Sequence, residues 1–110
     1  MADQEKLVLK MQLCEQAERY TQMIKYSKEL VLTGKALNAE ERNLLSVAFK
    51  NEIGQRRASW RILSHAEKQN MDNEDRVTII KEERVVLEQE MKDLIFDVLV
   101  SFQKLYDNLI

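Results

Sequence analysis

Lys50, Arg57 and Arg61 are spaced so that a single helix would carry all three cations along one line. At about 100° per residue, Asn43, Ser46, Lys50, Gly54, Arg57, Arg61 and Ser64 fall within about ±40° of that line. Lys50 and Arg61 would stand about 16 Å apart with Arg57 between them, which suits an extended anionic ligand better than a single ion. The same periodicity also fits a solvated charged strip with no ligand.

The element that must carry this seam has unusual proportions. Leu44, Leu45, Val47, Ala48, Phe49, Ile53, Trp60, Ile62 and Leu63 spread over the rest of the circumference. An ordinary surface helix has the reverse pattern, a wide polar face and one apolar stripe. The pattern therefore predicts a helix buried over most of its girth. It is the third of four expected helices. The first covers residues 3–19, and the second runs from about 20 to 33 and stops at Gly34, a natural left-handed cap. Asn38 can cap the third helix, with Glu41 completing a capping box, and the helix continues to about Gln69. After Asn70-Met71-Asp72-Asn73, either Asp72 or Asn73 can cap a fourth. Glu74 and Asp75 then sit where negative charge suits the helix dipole. Val77, Ile80, Leu87, Met91, Leu94, Val98, Phe102 and Leu105 recur at helical intervals along a fourth helix of about 30 residues.

Composition agrees. The 110 residues hold no proline and two glycines, which argues for an all-α fold and against a turn-rich β fold. Residues 1–110 are expected to make one helical domain. Seventeen basic residues stand against 19 acidic ones, so no gross charge favours nucleic acid, and the cationic seam is a local feature. No apolar run approaches a membrane span. The lone Cys14 excludes an intramolecular disulfide and reads as a small apolar packing residue in a reducing compartment.

Catalysis and metal chemistry find little support. His65 is the one histidine, and Ile62 occupies the place three before it, so no Glu-x-x-His motif exists. There is no Gly-rich phosphate loop. Neither an enzyme, a cofactor nor a metal is expected. Arg56-Arg57-Ala58-Ser59 has a spacing that basophilic kinases read, which makes Ser59 a candidate for phosphorylation as well as for packing.

Three segments resemble the 14-3-3 proteins, dimeric adaptors that hold phosphoserine and phosphothreonine segments of client proteins. The longest is Glu40-Glu41-Arg42-Asn43-Leu44-Leu45-Ser46-Val47-Ala48-Phe49-Lys50-Asn51, then Gly54, then Arg56-Arg57-Ala58-Ser59-Trp60-Arg61. Glu15-Gln16-Ala17-Glu18-Arg19-Tyr20 fits the family's first helix, and Asp93 with Asp97-Val98-Leu99 its fourth. The likeness covers the whole chain but only the amino-terminal half of the family's proteins.

The resemblance implies four antiparallel helices corresponding to the family's dimerisation half. It implies phosphate binding by Lys50 and Arg57, with Arg61 supporting them and Asn43 and Ser46 lining the groove. The remaining phosphate contacts come from later helices of the family, so the seam is half a binding site. The resemblance also implies a homodimer, or a heterodimer with another 14-3-3-like chain. Leu13, Cys14, Ala17 and Arg19 would form one side of that interface, and Ser59, Ile62, Leu63 and Glu90 the other. Phosphorylation at Ser59 would disfavour it. Arg19–Glu90 and Lys6–Asp75 would act between subunits. Lys6 and Asp75 stand where the family has glutamate and lysine, Glu83 where it has tyrosine, Val86 where it has lysine, and Gln22 where it has aspartate. Partners would be phosphorylated clients in the cytoplasm, with the nucleus as a second compartment, and neither nucleic acid nor membrane. Two other readings stay open: a structural helical dimer without ligand, and a small nucleic-acid-binding bundle using Arg56, Arg57 and Arg61.

Overall fold

Each helix starts and stops for a reason visible at its ends. In the computed structural model, which describes residues 1–109, α1 spans Asp3–Gln16, α2 Tyr20–Leu32, α3 Ala39–Gln69 and α4 Glu74–Leu109, with no strand among the described residues. The all-α expectation holds.

α1 is shorter than the pattern predicts, ending at Gln16 rather than at residue 19. Glu18 takes a left-handed conformation at φ 55°. Its N–H donates to the Glu15 carbonyl at 3.1 Å, and the Arg19 N–H to the Cys14 carbonyl at 2.8 Å. That pair of bonds closes the helix end and offsets the steric cost, about 1–2 kcal/mol, of a left-handed residue with a Cβ. Arg19 thus precedes α2 rather than ending α1. Past α2, Gly34 does adopt the left-handed region, at φ 73°.

α3 opens on the expected box. The Glu41 N–H donates to Asn38 Oδ1 at 2.8 Å, and the Asn38 N–H donates back to Glu41 Oε1 at 3.1 Å. At the next turn Asn73 is the cap, its Oδ1 accepting from the Arg76 N–H at 3.1 Å. α4 runs 36 residues, longer than expected.

The chain gathers into two compact units. The first is Met1–Glu52 with Asp97–Ile110, and the second is Ile53–Phe96. α1 packs on α2 in the first unit, where Met11, Met23, Leu30 and Leu45 are fully buried with Ile24, Val31, Leu44, Ala48 and Phe49 around them. Burying each large side chain stabilises the fold by about 1.5–3 kcal/mol. Polar ties add register: Gln12 Nε2 donates to Glu40 Oε1 at 2.8 Å, Gln4 Nε2 to Glu41 Oε2 at 2.6 Å, and Lys28 pairs with Asp97.

The second unit is a helical hairpin joined by polar clasps. Arg84 bridges Glu67 and Glu88, and the Trp60 indole Nε1 donates to Glu88 Oε1 at 3.0 Å. Arg56 meets Glu90 at 3.6 Å. Leu94 is the one buried apolar residue of this unit among those described. The expectation that α3 is buried over most of its girth therefore holds before Glu52 and fails after it. Trp60 and Ile62 are exposed, because one neighbouring helix can cover only one stripe of another.

Candidate functional site

The seam residues expected from sequence are exposed within each unit taken by itself. In the first unit Asn43, Ser46 and Lys50 are exposed, next to buried Leu44, Leu45, Ala48 and Phe49. In the second unit Arg57 and Arg61 are exposed as well. α3 is continuous through all of them. Among the described residues none forms an ion pair with Lys50, Arg57 or Arg61. Arg56, one residue away from Arg57, is instead turned towards α4 and paired with Glu90.

Gly54 belongs to the seam and is not required by packing. A Cβ at this position would meet nothing within 4 Å. A glycine inside an exposed helix costs about 1 kcal/mol relative to alanine. Gly54 therefore leaves a bare stretch of backbone in the second unit, kept at a cost that local packing does not explain. Ser64, the last residue on the line, has a buried Oγ with no hydrogen-bond partner among the described residues.

A second candidate surface is an apolar groove of about 310 Å³ on the second unit, lined by Ser59, Ile62, Leu63, Glu83, Val86, Leu87 and Glu90. Ile62 is 69% exposed and Val86 57%. Ser59 is half-buried at its edge, its Oγ donating to the Gln55 carbonyl at 3.1 Å. The groove thus brings together the four residues named from sequence for one side of an interface: Ser59, Ile62, Leu63 and Glu90. It adds Val86, Leu87 and Glu83, for which the three- and four-residue spacing on α4 is the signal that sequence offers. Asp75 is exposed farther towards the start of α4.

The residues named for the opposite side of the interface lie in the first unit. Lys6, Leu13, Ala17 and Arg19 are exposed; Cys14 is not. At 8% exposure Cys14 is part of its own chain's core, so it has little surface to offer another molecule.

Two polar features escape sequence reasoning. Glu52 is buried among the apolar residues of α3, where it accepts a hydrogen bond from Thr21 Oγ1 at 3.2 Å. Lys10 has its ammonium 5.3 Å from the centre of the Tyr26 ring. Both depend on contacts distant in sequence, which periodicity does not report. His65 is exposed, and no group of acids, histidine and cysteine among the described residues could hold a metal ion. No helix among them is long and apolar enough to cross a membrane.

Comparison with known proteins gives this geometry a setting. A family model described as 14-3-3 protein matches residues 10–107. The chain is 47% identical over 102 residues to 14-3-3 protein zeta of Bombyx mori, covering 93% of this chain and 41% of that protein. It is 48% identical over 101 residues to 14-3-3 protein 2 of Entamoeba histolytica, covering 90% of this chain and 42% of that one. With 14-3-3-like protein 1 of Caenorhabditis elegans the identity is 47% over 95 residues, covering 86% and 38% respectively. The chain spans about two-fifths of the length of the curated relatives it matches.

Proposed function

Since this chain belongs to the 14-3-3 family, we propose that it serves as a non-enzymatic adaptor of that type: dimeric, and presenting one wall of a groove for phosphoserine and phosphothreonine segments of client proteins. The observation that carries the reading is the set of three cations on α3, Lys50, Arg57 and Arg61, without a carboxylate partner among the described residues. Guanidinium groups hold phosphate oxygens bidentately while an ammonium acts as a point charge. The bare backbone at Gly54 lets an extended peptide approach between them.

One wall is not a closed groove. Water and salt screen an open seam, and ordering a flexible peptide on it costs entropy that one set of contacts does not offset. Dimerisation would use the apolar groove at Ile62, Leu63, Val86 and Leu87 as its acceptor surface, with Leu13 and Ala17 of a second copy filling it.

The test is titration of a labelled phosphoserine peptide and its unphosphorylated twin against this chain and against a chain extended by the region its relatives carry beyond the matched segment. The 110 residues should bind weakly. The extended chain should bind with phosphate selectivity, and Lys50→Glu or Arg57→Glu should abolish it. Tight, selective binding by the short chain would overturn the one-wall reading. Binding by the extended chain that ignores both reversals would overturn the assignment of the seam.

A further inference from the structure

The first unit carries a cavity that neither the cationic seam nor the apolar groove uses. Its volume is about 460 Å³, and it lies between the start of α1, the linker from α2 to α3, and the first turn of α3. That volume falls within the roughly 300–1,000 Å³ of ordinary ligand pockets. Val8 and Leu9 on α1, with Ala2 before it, give the cavity an apolar floor, and Leu9 is 41% exposed. Gln4, Glu5 and Gln12 of α1 stand around that floor, facing Glu40 and Glu41 of α3. On α1 the centre of this face lies about 130° from the line of Lys6, Leu13 and Ala17. A second copy bound along that line would leave the cavity open.

The polar atoms left over around the cavity are mostly acceptors. Gln12 Nε2 donates to Glu40 Oε1 at 2.8 Å and Gln4 Nε2 to Glu41 Oε2 at 2.6 Å. Each glutamine nitrogen is held by a carboxylate, which leaves its Oε1 to accept from elsewhere. Glu5 and Glu40 form no ion pair among the described residues. Glu41 is 6% exposed, and its two donors, the Asn38 N–H at 3.1 Å and the Gln4 amide, are neutral. A carboxylate at such a place is costly unless a positive group shares it, and here only the helix end supplies partial positive charge. The base in the lining is Lys35, exposed on the linker and without an ion pair among the described residues. Three carboxylates therefore stand against one ammonium around an apolar floor.

We propose that this cavity takes an arginine and an adjoining aliphatic side chain from an extended segment of another protein. A guanidinium is planar and presents five donors in a fixed fork, so it can meet a carboxylate bidentately and a glutamine oxygen at the same time. Such charge-assisted bonds are roughly twice as strong as neutral ones. Val8 and Leu9 would cover the aliphatic neighbour and the arginine stem, as apolar surface does for long charged side chains. An acidic segment would meet like charge from α1 and α3 together. The cavity thus has the opposite preference to the seam, and the chain would hold two segments of opposite charge at once.

The probe is a capped tetrapeptide of alanine, leucine, arginine and alanine, titrated into the isotope-labelled chain and followed by NMR. The side-chain amide signals of Gln4 and Gln12 should shift together, with a dissociation constant on the order of 0.1–1 mM. Exchanging the arginine for glutamine should weaken binding about tenfold or more, and exchanging the leucine for serine about fivefold. In the protein, Glu40→Gln and Glu5→Gln should each weaken binding about three- to tenfold. Glu5 makes no side-chain bond among the described residues, so Glu5→Gln leaves the wall intact where Glu40→Gln also alters the bond from Gln12. Lys35→Gln should tighten binding about twofold by removing a like charge. Circular dichroism shows whether each variant is folded. A glutamine peptide that binds as well as its arginine twin would overturn the proposal, and so would Glu5→Gln with native affinity. Shifts at Lys50, Arg57 and Arg61 with none at Gln4 and Gln12 would place the peptide elsewhere and overturn it too.

Discussion

Asn38 and Glu41 cap each other at the start of α3, through a 2.8 Å bond from the Glu41 N–H to Asn38 Oδ1 and a 3.1 Å bond from the Asn38 N–H to Glu41 Oε1. The second carboxylate oxygen of Glu41 accepts from Gln4 Nε2 at 2.6 Å, so the same side chain ties α1 to this helix end. Asn38→Ala should lower unfolding free energy by about 1 kcal/mol. Glu41→Ala should cost more, because it removes the acceptor of two bonds at a buried position. Urea denaturation of the two variants checks the order, and an equal loss would show that the Gln4 bond contributes nothing.

Gly54 makes the opposite prediction. With nothing within 4 Å of the place a Cβ would occupy, Gly54→Ala should stabilise the chain by about 0.5–1 kcal/mol through helix propensity alone. Thermal melts report the gain. A loss of stability would mean that α3 is more closely covered there than its surroundings indicate.

Arg56 and Arg57 are adjacent and differ in what they do. Arg56 is turned to Glu90 at 3.6 Å and its side chain is 24% exposed, whereas Arg57 is exposed and makes no ion pair among the described residues. Arg56→Ala should destabilise the fold by about 1 kcal/mol, and Arg57→Ala by less than about 0.5 kcal/mol. Denaturant midpoints for the two variants decide it; a larger loss at Arg57 would remove the argument that the seam is spare for a ligand.

Phosphorylation of Ser59 should promote monomers. The group adds a charge of about −1.5 to −2, beside Ile62 and Leu63 in a groove that already holds Glu83 and Glu90. Weakening of association by about tenfold or more is the expected result by sedimentation of the stoichiometrically phosphorylated chain. An unchanged dissociation constant would leave Ser59 as a packing residue, with Arg56 neutralising the new charge.

Much of this is legible in sequence, and what is not has physical causes. The capping box, the left-handed Gly34 and the seam on α3 are local features, set by residues within a few positions of one another. The end of α1 escapes the pattern because Glu18 accepts a conformation usually left to glycine, held there by two backbone bonds that composition does not signal. Periodicity places Trp60 and Ile62 away from the seam, yet it carries no information on whether the same chain covers them. Phe102 fits the apolar stripe of α4 and is nevertheless exposed. The buried Glu52 is unreadable for the converse reason, since its partner Thr21 lies on another helix.

The open groove at Ile62 and Val86 has a consequence for how such a chain changes over generations. Side chains in the first unit are filtered by whether the chain folds, because Met11, Met23 and Leu45 have no room for alternatives. Ile62 and Val86 are largely exposed and touch little of their own chain, so mutations at these two places pass that filter and are judged mainly by which molecules the surface still meets. Duplicated genes could therefore drift apart in allegiance at these positions while keeping one and the same scaffold.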